Sequence, residues 1–458
     1  MAAETARPAP KSSKSSKSSN YWQQTVQNRM LLVVLLMVVG VPLLALPSNP
    51  QMQNVANYAL RVMAALLAGI LVMRARVATK KSEFQTFAAM GANLPVLLLV
   101  ADAVLSLLII PREYRFISSV DLMRVVTGVL LYFALAYHVR RSEHLTKIQD
   151  ALVVVAAIIS FFGLANLAMS SQASQASQIK TSLYGDHQLY GAMMMMLFPI
   201  TLVAAITEKQ RWRQIAAQSV AAITFVCLIT TETRTAWAGA IAEVVALLIF
   251  AQIVPKRNNQ ESTSRKQYLI PALIVLTCVG LFLGLGGAQN AFNSRLNGQS
   301  SQKAMEYRNR MWFAAWKMIE RSPLIGNGLG SFSRDQNDYS QSGRNTVDMS
   351  QEKGKLPSLG ENAHSFWLQT GAEQGLLGIG IYVAILATFL VAGVKRLRFL
   401  DGGIRRWLLL ASIAAVIGFT VDGLGNPAWQ FAQIAMFFWL MLGLGVACLR
   451  PRNPRGEN

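Results

Sequence analysis

The stretch LYGAMMMMLFPITLVAAI, residues 189–206, carries no charged side chain. A helix that crosses the hydrocarbon core of a bilayer needs about 20 mostly apolar residues. The stretch is close to that length and is apolar on every side, so it predicts a membrane-spanning helix.

Eleven further stretches are of similar length and mostly apolar, and the sequence therefore predicts an all-α, polytopic integral membrane protein with about twelve transmembrane helices. The other predicted spans are residues 30–46, 55–73, 90–110, 122–137, 151–169, 215–230, 236–253, 268–285, 376–394, 407–421 and 431–448.

The composition excludes two broad classes of protein. Of the 458 residues, 53% are hydrophobic and only 14% are charged, whereas a soluble domain usually carries about 25% charged residues. A water-soluble enzyme and a disordered chain are both excluded. The three cysteines lie inside apolar runs and have no spacing typical of a metal site or a disulfide framework.

The net charge of +20 has a topological explanation. Lys and Arg collect in the cytoplasmic loops of membrane proteins. If the N-terminal tail is cytoplasmic, every inner loop is rich in Lys and Arg, and the short outer loops hold only Arg112, Arg115, Lys180 and Arg234. We therefore expect both termini in the cytoplasm and no nucleic-acid partner.

This orientation divides the chain into five parts. They are a disordered cytoplasmic tail (1–29), spans one to nine (30–285), a large outer loop (286–375), spans ten to twelve (376–449) and a second cytoplasmic tail (450–458). A loop of such length is uncommon unless it is functional.

The large loop contains helical sequence patterns. Residues 304–321 predict a helix that ends before Pro323, and residues 335–359 predict irregular structure. Another helix is predicted to start near Asn362 and to pass through His364. One face of the first helix should carry Met305, Arg308, Met311, Trp312, Ala315, Trp316 and Ile319.

Three side chains on the outer side are the main candidates for chemistry. The neutral imidazole of His364 can accept a proton from an alcohol near pH 7. Arg234 and Arg308 can bind an anionic diphosphate, because the guanidinium fork matches phosphate oxygens. The alternative for Arg234 is a side chain that reaches lipid headgroups, and for Arg308 a pair with an acid such as Glu232 or Glu306.

Several weaker candidates lie on the same side. Arg310, Arg112, Arg115 and Arg124 can contribute to one electropositive cavity, and His187 can contact a polar ligand or serve only as a polar surface residue. Arg61, Asp102, Glu243 and Asp422 lie within or at the edges of spans, where they can pair or line a cavity.

The sequence lacks the common motifs for metal-assisted or ATP-driven chemistry. It has no Asp-x-Asp, His-Glu-x-x-His, Gly-Lys-Ser/Thr phosphate loop or Gly-x-Ser-x-Gly. We therefore predict no metal site and no cofactor.

Four motifs on the outer side carry a family resemblance. They are Thr233–Trp237 (TRTAW), Tyr307–Trp312 (YRNRMW), Ser322–Phe332 (SPLIGNGLGSF), and Ala363–Gln369 (AHSFWLQ) followed by Glu373–Gly378 (EQGLLG). In order and placement they resemble the O-antigen ligases, within the larger group that includes O-antigen polymerases and pilin-type oligosaccharide ligases. Ser365 departs from the pattern, since many relatives have Asn directly after the histidine.

The resemblance implies an activity. Such ligases transfer a preassembled glycan from undecaprenyl pyrophosphate to a sugar hydroxyl of lipid A-core oligosaccharide, at the periplasmic face of the bacterial inner membrane. His364 matches the family's essential histidine, and Arg234 and Arg308 match its two essential arginines. The implied reaction is metal-independent and inverting.

Three alternatives remain open at this point. An O-antigen polymerase and a pilin O-oligosaccharyltransferase keep the chemistry and change the acceptor. A secondary transporter for an anion also fits twelve spans with buried charges, although no internal repeat relates the two halves and the ordered outer loop is long for a carrier.

Overall fold

The computed structural model describes residues 28–40, 58–59, 61–71, 92–139, 141–170, 187–253, 299–340, 362–400 and 403–449. Within these ranges the chain forms helices and no strand, which confirms the predicted all-α class. The predicted ninth span, most of the N-terminal tail and the C-terminal tail lie outside the described residues.

Thirteen α-helices are numbered here in chain order within the described ranges. They are α1 (Asn28–Gly40), α2 (Arg61–Leu71), α3 (Asn93–Ile109), α4 (Arg115–His138), α5 (Ser142–Ser170), α6 (His187–Thr207), α7 (Arg211–Thr230), α8 (Arg234–Ile253), α9 (Gln299–Arg321), α10 (Phe332–Ser340), α11 (Phe366–Leu397), α12 (Ile404–Asp422) and α13 (Ala432–Leu449). Two short 3₁₀ helices lie at Arg112–Tyr114 and Ala428–Gln430.

Eight of the described helices, α4 to α8 and α11 to α13, are long and apolar enough to cross a membrane. The shorter apolar helices α1, α2 and α3 coincide with three further predicted spans. The prediction of a polytopic membrane protein is therefore confirmed.

The core of the bundle lies around α6, α12 and α13. Helix α6 packs against α5, α7, α8 and α12, and α13 packs against α4 and α12. A helix that is apolar on every side can lie in lipid or at the centre of a bundle. The second case holds here, because Met193–Met196 are buried in this core.

The amphipathic helix α9 packs against α11 and α10. Its buried side is formed by Met311, Ala314, Ala315 and Met318. Two residues of the predicted face are exposed in the described fold, Met305 at 47% and Trp316 at 55%. Trp316 turns to the surface, where its indole nitrogen donates to the Glu320 carboxylate at 2.6 Å.

Two further predictions for the large loop need correction. Residues 332–340 form helix α10, although the sequence predicted irregular structure from Asp335 onward. The second loop helix begins at Phe366 rather than near Asn362, so His364 precedes it. This helix continues through a non-helical residue, Gly375, into the predicted tenth span, so loop and span share one kinked element.

Candidate functional site

The end of α12 and the turn that follows it contact the sequence neighbours of two candidate residues. The carbonyl oxygen of Gly423 accepts the Phe366 amide at 2.8 Å and the Ser365 hydroxyl at 3.4 Å. At the last residue of α12, the Thr235 hydroxyl donates a hydrogen bond to the Asp422 carboxylate. The residues next to His364 and next to Arg234 therefore contact the same turn.

His364 has a positive φ angle, which is uncommon for residues other than glycine. Its φ angle is +48°, and its side chain is half-buried just before α11. The His364 amide donates to the Asn362 side-chain oxygen at 3.0 Å, and Ser365 caps α11 by accepting from the Leu368 amide at 3.4 Å. Strained residues persist only where surrounding contacts hold them, and they cluster at functional sites.

Helix α9 places aromatic and basic side chains beside this imidazole. The Tyr307 and His364 rings meet edge to face, with centroids 5.7 Å apart. The Arg310 guanidinium lies 5.7 Å from the centroid of the Tyr307 ring, at cation–π distance. Arg308 follows Tyr307 directly on α9 and is half-buried.

Arg234 is the first residue of α8 and is exposed. A helix N-terminus favours anions because its first amides are free and its dipole is positive there. The preceding residue, Thr233, donates its hydroxyl to the His187 carbonyl oxygen at 3.3 Å. The structure thus places His187, a weaker candidate, beside the turn that carries Arg234.

Arg112 and Arg115 lie at the junction of α3 and α4. The Arg115 Nε donates to the Ile110 carbonyl oxygen at 3.2 Å. Between them in the sequence, Tyr114 stacks under the Arg334 guanidinium of α10, 5.1 Å from the ring centroid. These contacts connect the junction to α10 rather than to α9.

Arg124 belongs to a polar cleft between α4 and the first turns of α11. It forms a salt bridge of 2.9 Å with Asp121. The cleft is also lined by Gln369 and Glu373 of α11 and by Gln430 of the second 3₁₀ helix. Arg124 is therefore bound to an acid in this cleft.

The sequence analysis left open what the charged residues within or at the edges of the spans contact. Two of them accept hydrogen bonds from side-chain amides. Asp102 accepts from the Gln374 amide at 2.6 Å, and Asp422 accepts from Asn426 at 3.2 Å. Glu243 is completely buried on α8 where that helix passes Gly418 of α12. Arg61 lies on α2, with its guanidinium 5.5 Å from the ring centroid of Tyr58.

Several residues of the four motifs were given no role of their own from the sequence. Tyr307, Asn327, Gln369 and Glu373 all join the loop to α11. The available signal was chemical, because Gln369 and Glu373 are polar residues next to a long apolar run and each is buried. A buried polar group is normally hydrogen-bonded, so it marks a structured contact.

The beginnings of α8, α9 and α11 belong to one continuous part of the chain. Residues 219–383 match the O-antigen ligase family. The predicted resemblance is therefore confirmed over this segment, which contains Arg234, Arg308 and His364. No curated protein matches the chain.

The match to the O-antigen ligase family supports glycan transfer of the ligase or polymerase type. Proteins of this family are glycosyl-transferring enzymes, and their substrates are a lipid-linked glycan and a lipid-anchored acceptor. The eight candidate spans of the described helices indicate a multi-pass membrane protein.

Proposed function

We propose that the protein transfers O-antigen glycan from undecaprenyl pyrophosphate to a sugar hydroxyl of lipid A-core oligosaccharide, at the periplasmic face of the bacterial inner membrane. The main supporting observation is the arrangement at one end of the bundle. His364 contacts Tyr307, the neighbour of Arg308, and its own neighbour Ser365 contacts the turn that also binds Thr235, the neighbour of Arg234.

His364 acts as the general base in this proposal. Its imidazole accepts the proton of the acceptor hydroxyl while the hydroxyl oxygen attacks the anomeric carbon of the donor glycan. The new C–O bond forms as the bond to the pyrophosphate oxygen breaks, so the anomeric configuration inverts. A positioned general base accelerates such a step by about 10²–10⁴-fold.

Arg234 and Arg308 bind the pyrophosphate and stabilise the negative charge that develops when it leaves. Fixed cationic donors aimed at a developing charge are among the largest contributions to catalysis. Arg310 adds positive potential beside Tyr307. The phosphate–sugar bond supplies the free energy of transfer, so the proposal includes no nucleotide, cofactor or metal ion.

The surface of the large loop suits substrates that are lipids. Met305, Phe313 and Trp316 of α9 and Leu324 and Ile325 of the following turn are large apolar side chains exposed to the outside of the described fold. Exposed large apolar side chains on an amphipathic helix are typical of a surface that lies against a membrane. We propose that both lipid-linked substrates approach the site along this surface.

Deletion of the gene, with lipopolysaccharide then separated on a gel, tests the acceptor. We expect loss of long-chain lipopolysaccharide and its recovery on complementation with the wild type. Single repeat units on the core would indicate an O-antigen polymerase, and loss of pilin glycan would indicate a pilin ligase. Unchanged long-chain lipopolysaccharide would contradict the proposal.

The purified chain distinguishes transfer from transport. Given polyprenyl-pyrophosphate glycan and lipid A-core in detergent, it should form glycosylated core lipid. Anion flux in proteoliposomes without any glycosylated product would favour the transporter alternative.

A further inference from the structure

The strained turn at His364 depends on a side chain that lies further along the chain, on α11. The amide of Ala363 donates to the side-chain oxygen of Gln369 at 3.1 Å. The next amide, that of His364 itself, donates to Asn362 at 3.0 Å. Two successive amides are thus held by side-chain oxygens, and these bonds hold the left-handed conformation of His364.

The other end of the Gln369 side chain is also held. Its nitrogen donates to the Glu373 carboxylate at 2.9 Å, and both residues are buried. The same carboxylate oxygen accepts the Phe332 amide at 3.4 Å, and the Gly330 amide also donates to this carboxylate. Gln369 therefore links the His364 turn to the loop that precedes α10.

That loop is firmly connected to the helix that carries Arg308. The side-chain nitrogen of Asn327 donates to the Met318 carbonyl oxygen of α9 at 3.0 Å and to the Ala372 carbonyl oxygen of α11 at 2.9 Å. Backbone amides add to the contact, since Gly328 donates to the Glu373 carbonyl oxygen at 2.8 Å. The hydrogen bonds thus form a continuous path from α9 to the His364 turn.

We propose that Gln369, held by Glu373, is a positioning residue that fixes the His364 imidazole relative to the α9 helix that carries Arg308. The inference rests on the proposed function, because that function supplies the acceptor hydroxyl from which the imidazole takes a proton. Gln369 acts through the Ala363 amide and not through the substrate. A misplacement of about 1 Å in a reacting group lowers a rate by about 10²-fold, so loss of this link should lower kcat more than it changes KM.

The first test exchanges the two side chains. Gln369→Glu keeps an acceptor for Ala363 but sets a second carboxylate against Glu373, and we expect a loss of kcat approaching 10²-fold. Glu373→Gln alone keeps its oxygen for Phe332 and should have a small effect. In the double variant, which combines Gln369→Glu with Glu373→Gln, the new amide nitrogen can donate to the new carboxylate, but one acceptor of the Phe332 and Gly330 amides is lost. We therefore expect kcat to recover in part. A double variant as slow as Gln369→Glu would overturn the proposal.

The second test asks whether Gln369 acts through His364. In the wild-type background Gln369→Ala should lower kcat, whereas in the His364→Ala background it should lower the residual rate no further. Equal losses in both backgrounds would show a general structural role and overturn the proposal. Gln374→Ala is the matched control, because Gln374 is an equally buried amide on the same helix that donates to Asp102 instead. It should not reproduce the coupling with His364.

A third measurement does not depend on activity. Hydrogen–deuterium exchange of the full chain in detergent should show faster exchange of the Ala363 and His364 amides in Gln369→Ala and not in Gln374→Ala. Unchanged exchange in Gln369→Ala would overturn the inference. If the variants show this exchange pattern but the wild-type chain forms no glycosylated lipid, the proposed function is contradicted and the structural link remains.

Discussion

The bundle core and the outer end of the molecule are built from different interactions. Around α6, α12 and α13 the contacts are mostly apolar, and most of helix Ala432–Leu449 is buried. At the outer end, where α9, α10 and the first turns of α11 meet, a small apolar cluster is accompanied by side-chain hydrogen bonds and positive φ angles.

This difference explains where sequence changes should matter. A close-packed apolar core tolerates replacements that conserve volume. A network of buried hydrogen bonds tolerates such replacements less well, because a buried polar group left without its partner carries its full desolvation cost. We therefore expect the core to respond in stability and the outer end to respond in rate.

The largest expected effect is at His364. His364→Ala removes the proposed base and should lower transfer by about 10²–10⁴-fold, with the protein still folded because the imidazole is only half-buried. Initial rates and thermal unfolding of the purified variant measure both quantities. A variant with the wild-type rate would exclude His364 as the base.

The arginines should come next. Arg234→Ala and Arg308→Ala each remove a donor to the leaving pyrophosphate, and the cost should be about 10²–10³-fold in transfer rate. The lysine variants should recover only part of the rate, because an ammonium lacks the bidentate fork. If each lysine variant restores full transfer, geometry-specific phosphate binding is not the role of these residues.

Two glycines in α11 compare the outer end with the membrane span inside one helix. Gly375 has a φ of +65°, and a Cβ there would collide with the Leu324 carbonyl group, whereas a Cβ at Gly380 would meet no atom within 4 Å. Gly375→Ala should destabilise the protein by about 1–3 kcal/mol. Gly380→Ala should stabilise it by about 0.5–1 kcal/mol.

Thermal unfolding and transfer rate measure this pair of variants together. Gly375→Ala should also slow transfer, since it disturbs the contact between α11 and the loop that follows α9. Equal melting temperatures for the two variants would show that a Cβ at position 375 does not strain the contact with the Leu324 carbonyl group.

A conservative change in the core should have a small effect. Met196 is completely buried in α6, and Met196→Leu should cost less than about 1.5 kcal/mol of stability without changing the transfer rate. Chemical denaturation and initial rates measure the two quantities. A strong loss of rate with little loss of stability would show that the core contributes to the reaction directly.

The smallest expected effect is that of chelation. Because arginines supply the charge stabilisation in the proposal, transfer in EDTA should stay near the rate in its absence. Transfer that is abolished by EDTA and restored by Mg²⁺ would contradict the metal-independent mechanism.

The sequence predicted the bundle well because membrane insertion depends on local composition. Residues 189–206 alone were sufficient to predict α6. The outer end was harder, since its conformation depends on partners far away in the chain. The Ser365 hydroxyl, for example, contacts Gly423 across a separation of 58 residues.

Predictions of details in the large loop were wrong for the same physical reason. Helix α10 is short and polar, so its own sequence gives little helical signal, and it forms where it packs on α9. The positive φ of His364 follows from bonds to Asn362 and Gln369 that no residue pattern specifies. The arginines and the histidine were found from their chemistry and family motifs, but the network that holds them was not.

The most direct test of the central proposal is a structure of the full chain, determined by electron cryomicroscopy, with undecaprenyl-pyrophosphate glycan bound. The proposal predicts pyrophosphate oxygens within hydrogen-bond distance of the Arg234 and Arg308 guanidinium groups, and the His364 imidazole beside the anomeric carbon. Pyrophosphate bound away from both arginines, or on the other side of the membrane from His364, would contradict it.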